Sequence, residues 1–150
     1  MVGFESYEYN ADASFHNYEF YSEGPKGKIS KMVRFTSFVG NIYQISFGDV
    51  HSGTDRMNDQ TVSGNGDMVK VIFTVAKVIY EFTEIFPKAE ICFTGSTKSR
   101  TRLYQMLINK HKHLIQTVFD IVGYYNGVEE TFNSGRNYDF VAVCRKSLNN

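Results

Sequence analysis

The chain has 150 residues, 16 Lys and Arg against 16 Asp and Glu, and 23 Phe and Tyr together. This length predicts one domain over 1–150, and the aromatic content excludes a disordered chain, because it can bury enough apolar area to offset ordering entropy. Zero net charge gives no overall field to hold a polyanion, so nucleic acid is not an expected partner.

The N-terminal stretch MVGFESYEYNADASF is too acidic and too short in apolar residues for a signal peptide, and no run of about 18 apolar residues occurs. A cytoplasmic protein without a membrane span is therefore expected. Cys92 and Cys144 lie in apolar runs that read as buried strand, and two free thiols are expected.

In chain order, Phe4 to Tyr9 alternates loosely as a strand, and Tyr18 to Ser22 is a second, aromatic-rich one. The turn Glu23-Gly24-Pro25-Lys26-Gly27 leads into a strand over 28–39, and Gly40-Asn41 turns the chain into a strand over 42–47. An antiparallel meander results. Residues 48–66 have no periodicity and read as a long irregular loop. Met68, Ile72, Val75, Ile79, Phe82 and Phe86 then recur at helical spacing with Val71, Val78 and Ile85 beside them, predicting a helix over 67–86 with a wide apolar face that Pro87 stops. A short apolar strand over 89–94 precedes a second helix over 98–109, with Leu103, Tyr104 and Leu107 inward. Strands over 117–125, 129–132 and 138–145 complete an α+β domain with one mixed sheet.

The run Gly95-Ser96-Thr97-Lys98-Ser99-Arg100-Thr101-Arg102 joins a buried strand to a helix N-terminus, where free N–H groups and the dipole favour an anion. Cations oppose the dipole in a first turn, so Lys98, Arg100 and Arg102 point to a phosphate, pyrophosphate or carboxylate ligand. A Ser96 or Thr97 cap followed by a solvated basic turn is the competing reading. Gly64 and Gly66, with Lys70 one turn into the helix, resemble a phosphate cradle, but Asp67 sits among the same N–H groups. Capping by Asn65 or Asp67 is the simpler account there. Asp49, His51, Asp55 and Asp59 match no calcium or zinc spacing, His111 and His113 cannot share a helical face, and no metal is expected. No Gly-x-Ser-x-Gly elbow is present.

The run from GDMVKVIF through GSTKSRTRLYQM, with FDIVGYYNG and NYDFVAVCRK, resembles a family of short bacterial proteins of unknown function over Gly48 to Lys146. More distantly the chain resembles the GNAT acyltransferase superfamily: a GNAT-like mixed sheet with an N-terminal antiparallel meander, two main helices and two C-terminal strands. That resemblance implies acyl-CoA as cofactor. Arg102-Leu103-Tyr104 is similar to the segment whose tyrosine protonates the leaving thiolate, so it implies a catalytic role for Tyr104. The superfamily's pyrophosphate loop matches at Gly64 and Gly66, whereas Thr61 stands where a basic or amide residue belongs.

Two functions follow as expectations. In the first, an acyl-CoA-dependent N-acyltransferase holds pyrophosphate through Gly64, Gly66, Lys70, Ser96, Lys98 and Arg100. A relative of the same fold that has lost the cofactor is a variant of it. In the second, a non-catalytic interaction module contacts a protein partner or a second copy of itself, with or without an anion site at 95–102.

Overall fold

The computed structural model describes residues 5–50, 57–58, 64–95, 97–133 and 135–146. The chain divides into two compact units, residues 1–35 with 46–85 and residues 36–45 with 86–150. The strands are β1 (Asn10–Ala11), β2 (Asn17–Gly24), β3 (Gly27–Val39), β4 (Ile42–Val50), β5 (Met57–Asn58), β6 (Glu90–Phe93), β7 (Phe119–Tyr125), β8 (Val128–Thr131) and β9 (Phe140–Arg145). The helices are α1 (Met68–Ile85), α2 (Lys98–Lys110) and α3 (Lys112–Ile115). Strands β3 and β4 run through both units.

In the first unit β1 pairs antiparallel with β2, and β2 with β3 from Asn17 opposite Arg34 to Gly24 opposite Gly27. Period-2 alternation puts Tyr18, Phe20 and Ser22 on the same face as Lys31, Val33 and Phe35, and all six are buried. Helix α1 covers this face. Phe82 stacks on Phe35 with ring centroids 3.9 Å apart, and His16 meets Phe82 edge-on. Phe47 of β4 stacks on Phe20. The end of β4 turns back on β5, with Asp49 opposite Asn58.

In the second unit the strands lie in the order β4, β6, β9, β7, β8. Ile42 to Gln44 of β4 pair in parallel with Glu90 to Cys92 of β6. A parallel neighbour requires a crossover connection, and α1 lies within it in the chain. The other pairings of this unit, β6 with β9, β9 with β7 and β7 with β8, are antiparallel. Ile91, Ile121, Val141 and Val143 form the buried face, and Phe93 meets Tyr104 of α2 edge-on. The β7–β8 turn places Asn126 and Gly127 at φ 51 and 76, the left-handed pair that a two-residue hairpin needs.

The molecule is thus α+β, with antiparallel pairing predominant. Several expectations change. Residues 5–9 belong to no strand; pairing starts at Asn10, because Tyr7 and Tyr9 turn their side chains onto α1 instead. The expected loop begins later, since Gly48 to Val50 extend β4 and 57–58 pair with it. A third short helix follows α2, and the three strands expected in chain order close the chain, one more than the acyltransferase resemblance implies. The wide apolar face expected of α1 is buried at Val71, Val78, Ile79 and Phe82, and Phe73 and Thr74 join it, whereas Met68, at the start of the helix, is 69% exposed. In α2 Ile108 is the buried residue, and Leu103, expected inward, is 43% exposed. Both cysteines are free thiols; burial, then the charge of Glu90, pushes Cys92 up to about 11. No helix among the described residues is long and apolar enough to cross a membrane.

Candidate functional site

The start of α2 is built from its own polar groups. Thr97 is the N-cap, its hydroxyl accepting from the Arg100 N–H at 3.1 Å. Thr101 Oγ1 donates to Thr97 O at 3.1 Å and accepts from the Gly95 N–H at 2.9 Å, which folds the strand end back on the helix. Glycine is required at 95 because a Cβ there would lie 2.3 Å from Arg100 Cβ and 2.6 Å from Thr101 N. Arg100 points along the helix: its Nε donates to Tyr104 Oη at 3.4 Å, and its guanidinium lies 5.8 Å from that ring's centroid. Two of the predicted residues, Arg100 and Tyr104, are therefore neighbours. Lys98 and, one turn further on, Arg102 are exposed on α2. Ser96 lies outside the described residues. Of the Ser96 or Thr97 cap anticipated from sequence, Thr97 is the one present, and it leaves the basic side chains Lys98 and Arg102 facing solvent.

The Gly64–Gly66 loop of the first unit is occupied by the protein's own groups. Asn65 does not serve as the expected cap; its side chain accepts from the Lys26 N–H at 2.8 Å and donates to Gly27 O at 2.9 Å, pinning the loop to the β2–β3 turn. The approach is close enough that a Cβ on Gly24 would lie 1.9 Å from Asn65 O. Asp67 Oδ2 accepts from Ser22 Oγ and from Tyr7 Oη, each at 2.5 Å. Asn65 Nδ2 donates in turn to Ser22 Oγ at 3.3 Å. Lys70 places its ammonium 4.3 Å from the centroid of the Tyr7 ring. An anion entering this loop would meet the Asp67 carboxylate. The fit of a pyrophosphate to Gly64 and Gly66 is poor on that ground, while the exposed cations of α2 remain compatible with one.

Beside this loop lies a buried ion pair. Lys31 Nζ stands 2.5 Å from Asp49 Oδ1, and Lys31 is 1% exposed. Its ammonium also lies 5.8 Å from the Phe47 ring centroid. Burial raises the pKa of Asp67, but the Ser22 and Tyr7 hydrogen bonds, its own backbone N–H and the Lys31 charge outweigh it and hold the carboxyl below its usual range. Tyr7 is shifted the other way, upward, by burial and then by its bond to Asp67. Sequence reasoning singled out Asp49 and Asp67 but missed Lys31, Ser22 and Tyr7. The signal for Lys31 was its parity: Ile29, Lys31, Val33 and Phe35 share one strand face, so a lysine stood at an inward position. His51, Asp55 and Asp59 lie outside the described residues, and among those described no three His, Cys, Asp or Glu side chains are grouped to hold a metal ion.

In the second unit a further polar contact joins strands: Tyr124 Oη donates to Glu90 Oε1 at 2.5 Å. Glu90 is opposite Cys144, which is opposite Asp120, so these three share one row and face. Burial, followed by the Asp120 and Glu90 charges, pushes the Cys144 thiol up, away from the reactive range.

Residues 4–146 match the model of a family of unknown function, DUF6934. No curated protein and no solved structure matches the chain.

Proposed function

We propose, from the premise that the chain belongs to DUF6934, a family of unknown function, that it is an acyl-CoA-binding domain of the N-acyltransferase type. The observation that carries this reading is the parallel pairing of β4 with β6 within an otherwise antiparallel arrangement. Meander, helix, parallel strand, helix and closing antiparallel strands follow one another as the acyltransferase resemblance implies. Fold by itself supports the class of ligand more strongly than the reaction.

On this reading Lys98 and Arg100, at the start of α2, hold phosphate of the coenzyme, with the helix dipole in favour. An acceptor amine would attack the thioester carbonyl, the C–S bond would break, Tyr104 would give its phenolic proton to the leaving thiolate, and the proton shed by the attacking nitrogen would return through solvent to restore the Tyr104 phenol. The neighbouring Arg100 Nε fixes the Tyr104 hydroxyl in place for that transfer. For Gly64, Gly66 and Lys70 the proposal sets a condition: an anion takes that loop only by displacing the Asp67 carboxylate from it.

The experiment is thermal unfolding with acetyl-CoA, coenzyme A and inorganic phosphate. Ligand at a hundred times its dissociation constant stabilises the fold by about 2.7 kcal/mol, a readily measured rise in Tm. Coenzyme A is expected to raise Tm, and Arg100→Ala to abolish the rise. No shift at millimolar coenzyme A overturns the acyltransferase reading; a shift with phosphate alone, lost in Arg100→Ala, leaves an anion site without that chemistry. The second reading, a non-catalytic interaction module, is favoured by the Asp67 carboxylate filling the glycine loop and by Phe38, 79% exposed near the end of β3. Its signature is a coenzyme-insensitive protein whose mass in solution exceeds that of one chain.

A further inference from the structure

In the second unit the two sides of the sheet carry opposite charge. Residues 91–119, which run from β6 through α2 and α3 to the start of β7, contain no Asp or Glu, while Lys98, Arg100, Arg102, Lys110 and Lys112 all fall among them. Lys98, Arg102 and Lys110 are exposed on α2. With 3.6 residues per turn they lie within about 120° of one another around the helix, and Met106, 67% exposed, lies between them. Ile108 is buried on the other side of the helix and Tyr104 meets Phe93 of β6 edge-on, so the basic stripe faces away from the sheet.

The sheet face turned away from α2 is acidic. Ile91, Val143 and Ile121 form one row across β6, β9 and β7 on the α2 side, so the adjacent row, Glu90, Cys144 and Asp120, projects to the opposite side. Glu129 of β8 stands opposite Tyr124 and joins this face. Tyr124 crosses it by donating to Glu90, while its ring stacks on Phe140 at 4.4 Å between centroids. Asp120 and Glu129 are exposed, and strand parity adds one cation to the face, Lys146, just past the end of β9. Among the described residues no carboxylate stands within ion-pair distance of Lys98, Arg102 or Lys110, and no cation within that distance of Asp120 or Glu129. The spacings of the two sets also correspond. Arg102 and Lys110 are about 12 Å apart along the helix, and Asp120 is about 14 Å along β7 from Tyr124, the partner of Glu129.

We propose that these faces are the two halves of one interface, in which the basic stripe of α2 on one copy of the chain docks on the acidic sheet face of a second copy. Every copy carries both surfaces, which is the ground for choosing a second copy over a separate acidic partner. Balanced net charge favours the same choice, because two copies meet without overall repulsion while their local charges attract. Met106 among the cations and the Tyr124–Phe140 stack among the carboxylates give the contact an apolar centre. Two different patches meet, so the contact is heterologous: each added copy leaves one face of either sign free, and assembly continues past two chains or closes as a ring. This inference rests on the interaction-module reading and names its partner; it uses neither Arg100 nor Tyr104.

Sedimentation equilibrium of the full chain over a range of concentrations tests this. The Debye length falls from about 10 Å at 0.1 M salt to about 3 Å at 1 M. The mass is therefore expected to exceed one chain and to climb with concentration in the first buffer, and to return to one chain in the second. Arg102→Glu with Lys110→Glu, and separately Asp120→Lys with Glu129→Lys, leave two faces of like charge, and each pair is expected to weaken association at least about tenfold. All four changes in one chain exchange the signs of both faces, restore the charge balance and are expected to recover association. Lys26→Glu with Lys28→Glu, in the first unit, alters net charge as much as the α2 pair does but touches neither face, and is expected to leave association in place. The substituted side chains are all exposed, and thermal unfolding checks that each variant is folded. A single-chain mass at every concentration in 0.1 M salt overturns the proposal and leaves the basic stripe to a separate acidic partner. Association that persists in 1 M salt, that the fourfold variant fails to recover, or that the Lys26 and Lys28 changes abolish equally, overturns the pairing of these faces while the interaction-module reading stands.

Discussion

Lys31 carries its charge at 1% exposure, with the Asp49 carboxylate 2.5 Å away. Taking both ions out of water costs several kcal/mol each, so the pair adds little net stability while intact, but losing one partner leaves the other charge buried. Asp49→Ala is expected to destabilise the fold by about 3–5 kcal/mol, whereas replacing both residues with apolar ones of similar volume costs far less. Urea unfolding of the single and double variants checks this, and a single variant within 1 kcal/mol of the unaltered protein, on the scale of an exposed pair, would count against a desolvated pair. Both residues were visible in the sequence, Asp49 as a loop carboxylate and Lys31 as a lysine on an apolar strand face. Their meeting was not visible, because it depends on β4 continuing to Val50 beside β3.

Elements were more legible than their orientation. Helix α1 follows from its 3.6-residue recurrence, yet its apolar face is wide, and packing against Tyr18, Phe20 and Phe35 selects the part through Val71, Val78 and Phe82. Thr74 and Thr83 can be buried on it because their hydroxyls donate back to Lys70 O and Ile79 O. Residues 5–9 alternate like a strand, but tyrosines that find carboxylate partners on a helix need no ladder. At the strand-to-helix join after β6, Gly95 is held by proximity to the first turn of α2. Gly95→Ala is expected to cost about 1–3 kcal/mol, because the added methyl meets backbone as well as the Arg100 side chain. Urea unfolding measures it, and a neutral Gly95→Ala would mean that the join yields freely.

At the scale of the whole molecule, carboxylates tie stability to pH. Hydrogen bonds from Asn17, opposed by slight burial and reinforced by Ser14 and backbone N–H groups, hold Asp12 at about 2. Asp67 is likewise held below the ordinary range. With folded pKa values depressed, the unfolded chain binds more protons as pH drops below about 4, so the folded protein keeps its full advantage above that value and loses it progressively toward pH 2. The urea midpoint is expected to fall between pH 6 and pH 3, and to fall less in Asp12→Asn and Asp67→Asn. A pH dependence identical to that of the unaltered protein in both variants would remove these two carboxylates from the account. Net charge, balanced at 16 against 16, gave no hint of this, since it counts charges without their partners.

Periodicity and turn chemistry alone determined the α+β class, the two main helices, the β2–β3 and β7–β8 hairpins and a helix cap narrowed to Ser96 or Thr97, because each depends on residues near one another in the chain. Tertiary structure decided what joins distant residues. It placed β6 parallel to β4, paired Lys31 with Asp49, and put Tyr7 on Asp67 across sixty positions of sequence. These contacts are settled by burial and by the need of each desolvated polar group for a partner, conditions that exist only once the elements have packed.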